Sequence, residues 1–344
     1  MKIILHIGLG KTGTSSIQET LQNNINKLKE NGILYLGIMF EYAPIKLFPW
    51  QRAGGTTEFY ATDRPEDQLL DLIRRISSEV DSKKFQTVVI SNEWFSGSDY
   101  EFKRNEPVAN AFLKLQSEGH DITVVAYIRD SVSWAISAYQ QWGIKHKTTL
   151  AEIQSFREYT TSRPPRFSET LAFWGKHTSQ LKIHNYHSVG DVTQHFLRHY
   201  CNSSKIETIN SNIQPESSEL FLRACINQAT GNNREVSPRE FEDIFSRLDS
   251  SANRNGFAEW YNNLLPTNDD IEYLHSLIES DVLQINRMLE ENLEPSLSLP
   301  DNQQALSKLK SLDLREVIDY LVNRLLALSK SNLELREKIR KHKK

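Results

Sequence analysis

Within nine positions, Gly8-Leu9-Gly10-Lys11-Thr12-Gly13-Thr14-Ser15-Ser16 gathers a lysine, four hydroxyl residues and three glycines. The apolar run Ile3-Ile4-Leu5-His6-Ile7 precedes it and an amphipathic stretch follows. That order predicts a buried strand, a tight turn and a helix opening at Thr14 to Ser16. Such a turn aims free backbone N–H groups, the positive end of a helix dipole and one lysine at a single point, and the ligand suited to it is a phosphate or another tetrahedral anion. A nucleotide-triphosphate loop needs a glycine five positions before Gly10, where this chain has Leu5, so that pattern fails. A plain strand-to-helix turn without a ligand is the simpler alternative, but it requires neither the lysine nor the hydroxyls.

Two further stretches carry chemistry. Ser91-Asn92-Glu93-Trp94 follows the apolar run Phe85 to Ile90, and a carboxylate just past a parallel strand faces the crevice at the strand ends, on the side of Lys11. Glu93 is therefore the candidate general base, its other reading being a cap or an anchor for Trp94. Arg129-Asp130-Ser131-Val132-Ser133-Trp134-Ala135-Ile136-Ser137 follows the run Ile122 to Ile128. With Asp130 or Ser131 capping a helix, Arg129 stands at its entry and Ser133 and Ser137 one turn apart on one face. An arginine with a hydroxyl nearby grips a phosphate through paired, charge-assisted hydrogen bonds.

The Lys11-Thr12-Gly13-Thr14-Ser15 stretch resembles the 5′-phosphosulfate loop of sulfotransferases that use 3′-phosphoadenosine 5′-phosphosulfate (PAPS). Arg129, Ser137 eight residues on, and the Ser-x-Tyr-x-x-Trp of Ser137, Tyr139 and Trp142 resemble that family's 3′-phosphate signature. Ser131 replaces the usual proline and Trp134 a common arginine, and Asn92 replaces the second serine of a Ser-Ser-Glu often found before the base. The resemblance covers residues 1 to 200. It implies that Gly10, Lys11, Thr12, Gly13, Thr14, Ser15 and Ser16 hold the 5′ end of PAPS, that Arg129 and Ser137 hold its 3′-phosphate, and that Lys11 and Glu93 are catalytic. Tyr186 matches a tyrosine beside the adenine in several members, although it equally suits a half-buried core position. His187 stands where glutamate is usual, and no Arg-Lys-Gly closing segment is found. PAPS is then the donor and 3′,5′-adenosine bisphosphate (PAP) the product, with no metal. The implied acceptor is a glycan, a glycolipid or a small-molecule hydroxyl. Should Glu93 not be the base, His146 is the next candidate. A kinase with Mg²⁺ would share the anion loop but calls for an acidic metal ligand, and a non-catalytic nucleotide-binding or dimerising protein is the other alternative.

Along the chain the strand and helix signals alternate, which predicts an α/β fold: a three-layer parallel sheet with a P-loop-like nucleotide turn and C-terminal helical additions. The expected helix after the loop spans Thr14 to about Asn31, stopped by Gly32. Further strands are expected at Ile33 to Leu36 and Leu181 to Tyr186, and helices from Pro65, from Pro107 to Ser117 and through Val192 and Phe196. The aromatic connection 38–64 reads either as packed on the core or as an acceptor lid, and Arg163-Pro164-Pro165-Arg166 as a basic turn. The expected organisation is a nucleotide-binding core over 1–202, a helical extension over 203–299 with helices at Pro215 to Gln228, Pro238 to Leu248 and Asp269 to Asn292, and a terminal amphipathic helix over 300–344. In that last segment Ile318, Leu321, Leu325, Leu328, Asn332, Leu335 and Ile339 recur at three and four with one polar position, the pattern of a homodimer seam or of a helix docked on its own domain.

The 344 residues are 38% hydrophobic and 25% charged, enough for one large core or two smaller ones. A net charge of −3 gives no global pull toward nucleic acid. Cys201 and Cys225 read as reduced thiols. With no leader and no long apolar run, the expected setting is the cytoplasm, and an anchor-free chain looks like a bacterial member of the family.

Overall fold

The computed structural model describes residues 1–81, 83–96, 102–146, 152–203, 206–209, 217–229, 257–307, 309, 317 and 321. By its contacts the chain divides into two units, one of 1–134, 165–213 and 277–299 and the other of 135–164, 214–276 and 300–344.

The first unit is built on five parallel strands: β1 (Lys2–His6), β2 (Ile33–Tyr35), β3 (Thr87–Ser91), β4 (Asp121–Ile128) and β5 (Leu181–Asn185), in the order β2-β3-β1-β4-β5. Their side chains alternate between two cores. Ile3, Leu5, Val88, Ile90, Val124, Ala126 and Ile128 face one, while Ile4, Val89, Val125 and Tyr127 face the other. Burial on both faces is why these strands read as unbroken apolar runs in the sequence.

The helices are α1 (Thr14–Asn23), α2 (Ile25–Glu30), α3 (Thr56–Tyr60), α4 (Pro65–Glu79), α5 (Glu106–Ser117), α6 (Ser131–Ala138), α7 (Phe156–Ser162), α8 (Ser168–His177) and α9 (Val192–Tyr200). After them come α10 (Ser217–Ala229), α11 (Phe257–Leu264), α12 (Asn268–Glu291) and α13 (Asn302–Ser307). Apolar residues of α4, α5 and α8 cover the first face, joined by Ile285, Leu289 and Leu297; those of α1, α2 and α9 cover the second. The expected three-layer α/β sheet is thus what the chain forms. The single helix expected over 14–31 is two helices, because Asn24 leaves helical geometry at φ −114°, ψ 21° while its side-chain amide donates to the Thr20 carbonyl. Gly32, at φ +73°, ends the second.

The 38–64 connection is packed on the core through its large aromatics. Phe40, Trp50 and Phe59 are buried, and the Trp50 indole donates to Gln68 at 2.7 Å. Inside the loop the Lys46 ammonium donates to the carbonyls of Phe40, Glu41 and Gln51, drawing its two limbs together.

In the second unit, α6 runs on into a seven-residue π-helix, Tyr139–Lys145, at whose end the His146 amide donates to Gln141. Tyr139 donates to the Gln154 carbonyl, Asn227 of α10 to that of Ile144, and Arg157 of α7 pairs with Asp270. The expected helix at Pro238 to Leu248, most of the 318–339 seam and the basic tail lie outside the described residues.

Candidate functional site

Four functional stretches leave neighbouring strands of one sheet. β3 delivers Glu93, β1 the glycine-lysine loop, β4 Arg129 and β5 Tyr186, and those strands stand side by side in that order. The connection after β1 runs toward β2 and the one after β4 toward β5, so the chain parts in opposite directions between β1 and β4. In parallel sheets this is where a crevice opens for a ligand. His6 pairs with Val125, and β4 continues three residues past that point, carrying Arg129 out to the level of the loop.

The loop's conformation depends on its glycines. A Cβ on Gly8 would lie 2.2 Å from Thr14 Oγ1, and one on Gly13 would lie 2.3 Å from Val192 of α9. Gly10, Lys11 and Gly13 have φ of 55°, 54° and 83°. A left-handed lysine costs about 1 kcal/mol, a strain of the kind that collects at functional turns. This backbone ends at the start of α1, which no side chain caps and whose first turn carries no acidic residue. The first turn of α1 thus opens directly from this left-handed loop.

Polar groups at the site have been buried without partners. Thr12 Oγ1, Thr14 Oγ1, Ser131 Oγ and Arg129 Nε have no hydrogen-bond partner among the described residues, and Thr12, Thr14 and Ser131 are at most 2% exposed. Each such group costs about 1–3 kcal/mol unless something else satisfies it. Ser15 is exposed and Ser16 buried on the first turn of α1.

Glu93 opens a 3-10 turn, Glu93–Ser96, at the end of β3. The residue is exposed. The surrounding protein raises its pKa, and the Lys11 ammonium pulls it back down. Lysine and glutamate are thus brought within electrostatic reach of each other. The Trp94 amide is taken by the Asn92 side chain at 2.9 Å, so Asn92 rather than Glu93 fills the anchoring role. The same Asn92 amide donates to the Ile38 carbonyl, a clamp that sequence reasoning missed although the Asn-for-Ser departure marks the position.

On the other side of β1, Asp130 caps α6 by accepting the Ser133 amide at 2.7 Å, and its second oxygen meets His187 Nε2 at 2.8 Å. Burial alone would raise the Asp130 carboxyl, but the hydrogen bonds from His187 and Ser133 outweigh it and hold its pKa below the usual value. The residue after Tyr186 therefore fixes the residue after Arg129. Tyr186 stands with its ring 5.8 Å from the Arg129 guanidinium and 3.8 Å from the space a Gly13 Cβ would fill. The Trp134 indole donates to the Leu9 carbonyl, tying α6 back to the loop. Ser137 is half-buried near the end of α6, and like His146 it belongs to the second unit.

Beneath the loop, His6 is fully buried, with Nδ1 at 2.8 Å from Ser91 Oγ. Burial lowers its pKa to about 3, so the ring is neutral. Cys201 and Cys225 are not joined in a disulfide, and burial pushes the Cys201 thiol up to about 12. Among the described residues no group of three or more His, Cys, Asp or Glu side chains could hold a metal ion. None of the described helices is long and apolar enough to cross a membrane.

No protein-family model matches the chain, and no curated protein matches it. Among solved structures, retinol dehydratase in complex with androsterone and the inactive cofactor PAP is 12% identical, with 82% of this chain and 80% of that one aligned at a TM-score of 0.30. A complex of retinol dehydratase with retinol and PAP is 11% identical over 87% and 83%, at a TM-score of 0.26.

Proposed function

We propose that this protein is a sulfotransferase that moves a sulfuryl group from PAPS to an acceptor hydroxyl on a carbohydrate or glycolipid. One observation carries the reading: buried groups that grip anions, the Thr12 and Thr14 hydroxyls and Arg129 Nε, have no hydrogen-bond partner among the described residues, at the ends of two adjacent strands. One tetrahedral anion would account for the loop alone. Two stations call for a ligand with two anionic ends, as 3′,5′-substituted adenosine has.

The residues present fit that ligand. Bound there, PAPS supplies a sulfuryl group on its 5′-phosphate. Lys11 and the first amides of α1 hold the 5′ end and offset the negative charge that grows on the oxygen released. Arg129 holds the 3′-phosphate, and Ser137 is its second ligand by the sequence pattern. Tyr186 offers a face for the adenine. Glu93 takes the proton of the acceptor hydroxyl on a carboxylate oxygen as the new O–S bond forms and the S–O bond to the 5′-phosphate breaks.

Calorimetric titration with PAP, and with ATP plus Mg²⁺, tests this on the wild type and on Arg129→Ala. PAP should bind in preference to ATP, and loss of the guanidinium should weaken it by about tenfold to a hundredfold, the worth of a hydrogen bond to a charged group. Preference for ATP, or binding of neither, overturns the reading.

A further inference from the structure

Four side-chain hydrogen bonds hold the backbone of the 3-10 turn after β3. The Trp94 amide donates to Asn92 Oδ1, the Trp94 carbonyl accepts from Asn105 Nδ2, the Glu93 carbonyl accepts from Ser96 Oγ, and the Phe95 carbonyl accepts from the Trp174 indole. The two asparagines are themselves buried and tied down, Asn92 to the Ile38 carbonyl and Asn105 to the Tyr60 hydroxyl. Such a frame fixes the backbone from which the turn's side chains project. It hides Phe95 and Ser96 and displays Glu93 and Trp94. Trp94 is 48% exposed, and the other large apolar side chains this open among the described residues are all leucines. Leaving an indole in water forgoes the stabilisation that burial would bring.

We infer that Trp94 is the acceptor platform, an exposed indole on a fixed backbone against which the apolar face of a sugar ring stacks while its hydroxyl is presented to Glu93. The inference rests on the proposed sulfotransfer and narrows its acceptor to a pyranose. An open indole suits a ring that is apolar on its face and polar around its edge, because the edge hydroxyls keep their water while the face is covered. A wholly apolar acceptor would call for an enclosed pocket. A fixed backbone also lowers the ordering cost that an aromatic on a mobile loop would bring to binding.

The test compares wild type, Trp94→Ala and Trp94→Phe with methyl pyranosides as acceptors and with 2-naphthol and sorbitol as aromatic and acyclic comparators. Transfer from PAPS and quenching of tryptophan emission are both read. Trp94→Ala should raise the KM for the pyranosides roughly tenfold, with kcat and the Kd for PAP within about twofold and most of the loss recovered by Trp94→Phe. Sorbitol should be insensitive to the substitution. Unchanged pyranoside KM, a parallel loss of PAP binding, or an effect confined to 2-naphthol each overturns the platform. If the wild type transfers no sulfuryl group, the proposed reaction falls. The platform is then judged by emission alone: pyranoside quenching lost in Trp94→Phe supports it, and quenching retained or absent throughout overturns it.

Discussion

Glu93 and Lys11 set opposing conditions on one proton. The carboxyl must be ionised to accept the acceptor's proton, and burial has raised its pKa above the ordinary 4.5 while Lys11 restrains the rise. The rate should therefore fall as pH drops through a midpoint above 4.5, measured as kcat/KM against pH. Lys11→Met should move that acid limb further toward neutrality in the activity that remains, since the restraining charge is gone. Glu93→Gln should lower kcat by about 10²–10⁴-fold while leaving PAP affinity unchanged in calorimetry. Gly13→Ala meets two obstacles together, a φ of +83° and Val192 at 2.3 Å. It should lower the thermal midpoint by an amount worth at least about 1 kcal/mol and abolish PAP binding. Lys11, Gly13, Glu93 and Arg129 were legible in the sequence because each follows an apolar run, and a buried strand leaves its next residues nowhere but the crevice. Asn92, Asn105 and His187 were not. Their roles come from pairings with Ile38, Trp94 and Asp130, up to 57 residues away, and no local pattern encodes a hydrogen bond of that span.

At the scale of elements, α6 shows how a cap can double as a tether. Asp130 holds the helix start with one oxygen and His187 with the other, joining the segments that follow β4 and β5. Its folded pKa is depressed, so its contribution is complete above the ordinary carboxylate range, near 3.8, and is lost as pH falls through the lower folded value. Asp130→Ala should cost about 1–2 kcal/mol at neutral pH, and the gap from wild type should close in acid, as followed by thermal melts across that range. Strands and helices were readable to within a few residues because their apolar periods are strong. The break at Asn24 was hidden, since Ile25 and Leu28 continue a period that suits one helix or two. Which of the 38–64 aromatics were core was equally hidden, because an irregular segment has no period to consult.

At the scale of the molecule, α12 has an amphipathic pattern that announces a helix but not its destination. Ile285 and Leu289 on its second half, with Leu297 beyond it, complete one face of the sheet. Asp281 on the same stretch accepts the amides of Phe167 and Ser168 and the Ser168 hydroxyl at the start of α8. Asp281→Ala strands those buried donors, and Leu289→Ala leaves a void. Each should cost about 2–4 kcal/mol in chemical denaturation, with the loss falling on the sheet unit. The dependence has a temporal side. A ribosome adding about 5–20 residues per second finishes β5 on the order of ten seconds before Leu299 emerges. For that interval the part of the face that Ile285, Leu289 and Leu297 cover stays open, an apolar patch on the nascent protein that closes only when α12 arrives.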